Sequence, residues 1–278
     1  MPVDLHSHSR VSDGSFSPED LVVEAARVGL TSLALTDHDT VDGLDRALDK
    51  GHQLGVEVIR GIELSCGDGL HMVVLFLPEG ESPLTDRLDE IKRRRANRNE
   101  QMVERLNTLG VEITLEEVVE EAGEGVAGRP HFAGVMVRKG VVPDSQTAFS
   151  KFLGNNAPGY VKRKALRGTE AAKLARQSGA VPVIAHPHTL RLNNAEQWRN
   201  RLFELKDAGL VGMEVIYPSY DAAEREVYAQ VAREYGFLPS GGSDFHGSYK
   251  PHIGLGSGVG GNVTVPESVL EELRGFSS

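Results

Sequence analysis

The chain has 278 residues and a net charge of −10, from 40 acidic and 30 basic side chains. Apolar residues make up 40% and charged residues 25%, a globular balance that excludes a disordered, collagen-like or disulfide-stapled chain. Such length allows one large domain or two modest ones, and such acidity disfavours non-specific binding of nucleic acid.

In chain order, Val3-Asp4-Leu5 is a strand leading to His6. A helix runs from about Pro18 to Val28, with Ser17 as N-cap. A strand over Thr31 to Leu35 ends at Thr36-Asp37-His38-Asp39. A helix covers Val41 to Leu54, and a strand from Val56 to Ile59 runs into Gly61-Ile62-Glu63. His71 opens a fourth strand that reaches Leu77. Residues 86 to 122 read as two charged helices joined near Gly110, and residues 129 to 153 as short helices. The alternation then resumes. Helices cover Glu170 to Gln177, Trp198 to Ala208 and Ala222 to Tyr235. Strands cover Val181 to Ala185, Gly212 to Ile216 and Phe237 to Pro239. A last helix spans Ser268 to Arg274.

Repeated βα units predict a parallel α/β sheet or barrel with covering helices. The helical texture predicts an inserted domain over residues 86–157, so that 1–85 and 158–278 form the barrel domain. About 200 residues then remain, the small end of the (β/α) barrel range. The longest apolar stretch, Met72 to Leu77, is far below the ~20 residues of a membrane span. Met1-Pro2-Val3-Asp4 carries no signal-peptide pattern, and the lone Cys66 permits no internal disulfide, so a cytoplasmic setting is expected.

The placement of the ten histidines is the informative feature. Predicted strands end at His6 and His8, with Asp13 close behind, then at His38, Glu63, His186, and Asp244 with His246. His71 opens a strand instead. Side chains at the carboxyl ends of barrel strands converge on one mouth. One His-x-His alone is weak evidence, but recurrence at five strand ends is hard to explain by packing, because buried charge is costly unless paired or metal-bound. Nine candidate ligands exceed the needs of one ion. Imidazole and carboxylate without thiolate suit manganese, iron(II) or zinc. His188 is expected beside the ligands, and His52 and His252 on the surface.

The stripe Leu88, Ile91, Met102, Leu106 and Leu109 follows helical spacing, and its middle falls on Arg95 and Arg98. Two arginines on an inward face need an anionic partner, either substrate phosphate or local acids such as Asp86 and Glu100. Lys92, Arg93 and Arg94 read as a solvated face. Arg129-Pro130 can open a helix whose N-terminus favours phosphate, with His131 beside it. Lys162, Arg163 and Lys164 are candidates to line a substrate channel.

Asp4-Leu5-His6-Ser7-His8-Ser9 with Ser12-Asp13-Gly14, then Thr36-Asp37-His38-Asp39, Gly61-Ile62-Glu63, Ala185-His186-Pro187 and Ser243-Asp244-Phe245-His246, resemble in order the PHP (polymerase and histidinol phosphatase) superfamily. That resemblance implies a distorted seven-stranded (β/α), TIM-like barrel holding two or three divalent ions, manganese foremost. It implies one ion on His6, His8, Glu63 and Asp244, a second on Asp13, His38 and His246, and a third on Glu63, His71 and His186. Gly128-Arg129-Pro130-His131-Phe132-Ala133 and Pro158-Gly159-Tyr160-Val161 look like the branch of nucleotide phosphatases and short-RNA exonucleases. The implied reaction is hydrolysis of a nucleotide phosphate monoester, such as the 3′-phosphate of a nucleoside 3′,5′-bisphosphate, or of AMP. Alternatives are 5′ to 3′ exonucleolysis of short RNA and hydrolysis of a non-nucleotide such as histidinol phosphate. Arg95, Arg98, Arg129, His131, Tyr160 and Lys162 would hold substrate, Arg129 and His131 nearest the chemistry, with His131 a candidate proton donor. No membrane and no obligate protein partner is expected.

Overall fold

Strands β1 (Pro2–Asp4), β2 (Ser32–Leu35), β3 (Glu57–Ser65), β4 (His71–Leu75), β5 (Val181–Ala185), β6 (Gly212–Ile216) and β7 (Leu238–Gly241) lie side by side in chain order, and a two-residue β8 (Val265–Pro266) adds to the outer edge of β1. The computed structural model describes residues 2–162, 165–190 and 194–277. Beyond their ladders the first and seventh strands meet: Leu5 donates to the Gly241 carbonyl, Asp244 to that of His6, and His8 to that of Phe245. These bonds draw the sheet into a nearly closed barrel at the rim that carries the histidines. The resemblance implied seven strands; β8 is the addition.

The β4 strand departs from the expected all-parallel arrangement and runs antiparallel to both β3 and β5. A parallel crossover needs a dozen or more residues, and only Cys66 to Leu70 link β3 to β4, so this connection is a hairpin. The reversal has a functional consequence. It sets His71, the first residue of β4, opposite Ser65, the last residue of β3 and two past Glu63.

Helices α1 (Pro18–Arg27) and α2 (Leu44–Leu54) cover one flank, with Ser17 accepting the Asp20 N–H as the expected N-cap. Helices α7 (Gly168–Gln177), α8 (Ala195–Asp207) and α9 (Ala222–Tyr235) cover the other, and α10 (Glu267–Arg274) closes the base. Val3, Leu5, Val73, Val181, Val183 and Val265 fill the barrel and pack on Val269, Leu270 and Leu273 of α10. β-branched side chains on successive strands suit such a lining.

Between β4 and β5 lie α3 (Pro83–Thr108), α4 (Leu115–Ala122), α5 (Arg129–Arg138), α6 (Ser145–Ala148) and a turn over Phe149–Leu153. The long α3 belongs to two cores. Leu84, Leu88 and Ile91 pack with the barrel's outer layer, whereas Met102 and Leu106 pack with Phe132, Val135 and Met136 of the helical insert. The apolar stripe is real, but the helix stops one residue before Leu109, which is 44% exposed. Residue 86 is therefore an interior point of one continuous helix. Gly125 presses on the Arg10 and Ser12 carbonyls, and Val126 donates to the Val11 carbonyl, which ties the insert to the loop after β1.

Candidate metal centre

All nine candidate ligands meet at one rim. The Glu63 carboxylate sits at their middle. Its Oε2 is 3.2 Å from His6 Nε2, 3.2 Å from His8 Nε2 and 3.1 Å from His38 Nδ1. Its Oε1 is 2.9 Å from His71 Nδ1 and 3.0 Å from His186 Nε2. Asp244 Oδ1 lies 3.3 Å from His8 Nε2 and 3.5 Å from His6 Nε2. Asp13 lies 3.3 Å from His246 Nε2 and 3.7 Å from both His38 Nε2 and His8 Nδ1.

Three ligand groups result: His6, His8, Glu63 and Asp244; His8, Asp13, His38 and His246; and His38, Glu63 and His71. The first is the set that the resemblance implied. The second gains His8, whose ring stands between the two groups. In the third His38 joins Glu63 and His71, while His186 approaches the same Glu63 oxygen from its other side.

The atoms themselves test whether cations fit. Glu63 Oε2, His8 Nδ1 and His38 Nδ1 are buried yet make no hydrogen bond. Orphaned buried polar atoms cost free energy, and these all face the common centre. The His6 and His8 Nε2 atoms are 3.1 Å apart. Nitrogen and oxygen donors without thiolate, crowded in this way, suit divalent cations.

The protonation pattern agrees. Burial opposes charge on His8, but the adjacent Asp244 and Glu63 carboxylates outweigh it and raise the ring to about 9. Burial prevails at His38, pushed down to about 3 despite the pull of Glu63 and Asp13. Glu63 is held well below the usual carboxylate range: burial works against its charge, and neighbouring imidazoles, His6 foremost among the protonated ones, overcome that. Without metal, the raised imidazoles of His6, His8 and His186 thus offset carboxylate charge, the role that cations take in a loaded centre.

Local backbone geometry aims these side chains. His186 and Asp244 adopt left-handed φ of 28° and 49°, unusual away from glycine and concentrated here at the rim. Gly242 must lack a side chain, since a Cβ would stand 2.5 Å from the His6 backbone nitrogen. Buried Asp4 accepts from the backbone N–H groups of His6, Ser243 and Gly256 and from the Ser243 hydroxyl. Asp37 does the same for Ser9 and Ser12. Burial pushes both carboxyls up.

A cleft of about 310 Å³ opens beside the centre. It is lined by Asp13, His38 and His71 and also by Arg95, Arg98, Arg129, Tyr160 and Lys162, together with Cys66, Phe149 and Asn155. Arg95 and Arg98 are each 8% exposed. The partner of Arg95 is Asp39, directly after His38, rather than Asp86 or Glu100. Arg98 Nη1 lies 3.3 Å from Met102 Sδ. Arg129 opens α5 as expected; its Nη1 donates to the Leu153 carbonyl and Asn155 Oδ1, and its guanidinium stacks over Phe149 and Tyr160. Lys92 pairs with Asp42 and Arg94 with Glu90, and Arg93 is exposed, as a solvated face requires. Arg163 and Lys164 lie outside the described residues.

His131 is buried in the insert at 4% exposure and is not part of the cleft lining. Its Nδ1 accepts the Gly128 N–H at 3.0 Å, capping α5, so its single proton sits on Nε2. Burial lowers its pKa. His188 lies against His186 and meets Tyr220 Oη at 3.0 Å, while His52 and His252 are exposed.

The sequence reading missed three residues. Glu214 on β6 is 1% exposed, accepts from His6 Nδ1 at 2.7 Å and from the His186 N–H at 2.5 Å. An acid in mid-strand was the signal available. Tyr217 and Lys250 both reach Asp244 Oδ2, and nothing in their local sequence marks them.

Comparison with known proteins agrees with this geometry. Residues 4–130 match the PHP domain family. A 5′-3′ exoribonuclease of Haemophilus influenzae is 33% identical over 247 residues, 87% of this chain and 89% of that protein. A 3′,5′-nucleoside bisphosphate phosphatase of Chromobacterium violaceum is 32% identical over 248 residues, 88% of this chain and 87% of that one. A crystal structure from Bifidobacterium adolescentis assigned as a metal-dependent phosphoesterase superimposes with a TM-score of 0.86 at 29% identity, covering 100% of this chain and 98% of that one. Among the described residues no helix is long and apolar enough to cross a membrane.

Proposed function

The chain belongs to the PHP domain family, and from that premise we propose that this metal-dependent phosphoesterase removes the 3′-phosphate of a nucleoside 3′,5′-bisphosphate. One observation carries the reading: Asp13, His38 and His71 share a single cleft with Arg95, Arg98, Arg129 and Lys162. Its volume of about 310 Å³ suits a small phosphorylated molecule. A substrate with two phosphates needs cationic groups both at the reacting phosphorus and away from it.

His6, His8, Glu63 and Asp244 would hold one ion, Asp13, His38 and His246 with His8 a second, and Glu63, His71 and His186 a third, with manganese favoured over iron(II) or zinc. Such ions supply Lewis-acid charge and activate water near neutral pH. Arg98 and Arg129 hold and orient the phosphates from the insert side, since guanidinium matches phosphate in a planar fork. Asp39 fixes Arg95 against the rim. Tyr160 and Phe149 both pack against the planar Arg129 guanidinium and narrow its choice of orientation. His131 acts behind this wall. A neutral imidazole with Nδ1 engaged does not readily release its remaining proton, so it serves as the cap that sets the start of α5, and with it Arg129. The lone buried Cys66 fits a reducing, cytoplasmic setting.

The Haemophilus influenzae relative supports a second reading, 5′ to 3′ trimming of short RNA, because a nucleotide bearing 5′- and 3′-phosphates resembles a chain end. The deciding measurement is phosphate release in Mn²⁺ from adenosine 3′,5′-bisphosphate, AMP and histidinol phosphate, beside cleavage of a short end-labelled oligoribonucleotide. Preference for the bisphosphate upholds the proposal. Preference for AMP or histidinol phosphate overturns it, and cleavage of the oligonucleotide alone selects the second reading.

A further inference from the structure

Two carboxylates of the centre are held in different ways. Both oxygens of Glu63 face imidazoles, Oε1 toward His71 and His186 and Oε2 toward His6, His8 and His38. Asp244 turns only Oδ1 toward the His6 and His8 Nε2 atoms. Its Oδ2 accepts from Tyr217 Oη and from Lys250 Nζ, each at 2.7 Å. A carboxylate oxygen offers two lone pairs, and these donors take both. Tyr217 follows directly on β6, and Lys250 ends the short turn after His246. Donors from two separate segments therefore converge on one oxygen atom. Lys250 adds a further property, a positive charge beside a site built for cations.

We propose that Tyr217 and Lys250 are positioning residues that confine Asp244 to one-oxygen ligation, and that the Lys250 ammonium moderates cation affinity at the His6, His8 and Asp244 group. The proposal rests on reading these residues as metal ligands of a phosphoesterase. A free Oδ2 could chelate and take a coordination position that a catalytic site keeps open. An ammonium close to a divalent ion also repels it, so removing the charge tightens binding. A lysine with a merely structural role gives the opposite sign, because losing it would loosen the centre.

The test is calorimetric titration of Mn²⁺ into the metal-free full-length chain, for wild type, Lys250→Met, Lys250→Arg and Tyr217→Phe, with kcat and KM on adenosine 3′,5′-bisphosphate measured in parallel. Lys250→Met should bind Mn²⁺ about tenfold more tightly. Its kcat should fall about tenfold while KM stays within about twofold. Lys250→Arg should keep the wild-type affinity, and Tyr217→Phe should tighten binding about threefold by freeing one lone pair. Unchanged or weaker Mn²⁺ binding in Lys250→Met overturns the proposal. Should that variant fail to fold, weaker binding in Tyr217→Phe does the same. A wild type that binds Mn²⁺ but ignores the bisphosphate refutes the proposed substrate instead, and the Mn²⁺ affinities still decide the role of Lys250.

Discussion

His6 Nδ1 lies 2.7 Å from Glu214 Oε1, and both side chains are almost completely buried. The bond fixes the ring's tautomer: Nδ1 carries the proton, and the Nε2 lone pair points at Glu63 and Asp244. The second Glu214 oxygen holds the His186 N–H, so one strand residue aligns two of the candidate ligands. Glu214→Gln keeps the shape and removes the charge. Retention of Mn²⁺ should then fall about 10- to 100-fold. Metal content after exhaustive dialysis measures this directly, and a variant that holds metal like the wild type would remove Glu214 from the account.

Arg129 is pre-set in the cleft by two rings and two acceptors. Hydrogen bonds to a charged group contribute about 1.5–3 kcal/mol, so Arg129→Ala should reduce kcat/KM on the bisphosphate about 10- to 150-fold. Metal content should not change, because Arg129 donates to the Leu153 carbonyl and Asn155, which are not candidate ligands. Arg93→Ala, on the exposed face of α3, is the matched control. Equal losses in both variants would mean that the effect is general surface charge and not the cleft.

The centre was legible because its residue types contradict their burial. His6, His8, Glu63 and Asp244 sit in or just past the carboxyl-terminal parts of strands, buried where packing alone would favour apolar side chains, and repetition of that conflict exposes them. Arg95 and Arg98 were visible for the same reason, on an apolar stripe. The reversal of β4 was encoded too, in the five residues from Cys66 to Leu70, but reading it requires weighing loop length above βα alternation. Asp39 stood in a quoted motif without a role, because its partner Arg95 lies 56 residues away. Lys250 and Tyr217 were invisible: a lysine in a turn and a tyrosine after a strand are ordinary, and only three-dimensional convergence on Asp244 Oδ2 distinguishes them. Helix α3 shows the same limit, since no local signal marks where one helix passes from the barrel core into the core of the insert.

Orphaned atoms at the centre make a stability prediction. Glu63 Oε2, His8 Nδ1 and His38 Nδ1 lack hydrogen bonds, so a chelated protein carries their cost. Mn²⁺ at 100 times its dissociation constant should add about 2.7 kcal/mol per site. For a chain of this size each kcal/mol moves the midpoint by about 2–4 °C. Thermal unfolding in a chelator and then in excess Mn²⁺ should differ by about 5–10 °C for a single filled site. Mg²⁺, which prefers all-oxygen surroundings, should give a smaller shift. Identical midpoints with and without Mn²⁺ would contradict metal binding by these residues.

His131 supplies a pH dependence in the insert. Its pKa is lowered chiefly by burial, and its Nδ1 must stay unprotonated to accept the Gly128 N–H. In the unfolded chain the ring titrates near its ordinary value of 6.5. Between that value and the lower folded one, the unfolded state binds more protons, so stability rises with pH through this window and is lost as pH falls through it. His131→Asn retains a cap acceptor but does not titrate. The stability advantage of wild type over His131→Asn should therefore be larger at pH 7.5 than at pH 5.5. Urea unfolding of the two metal-free proteins at both pH values measures the difference and cancels the shared titration of the other histidines. An advantage that is constant across this range, or that grows on acidification, would show that His131 is not held neutral in the folded insert.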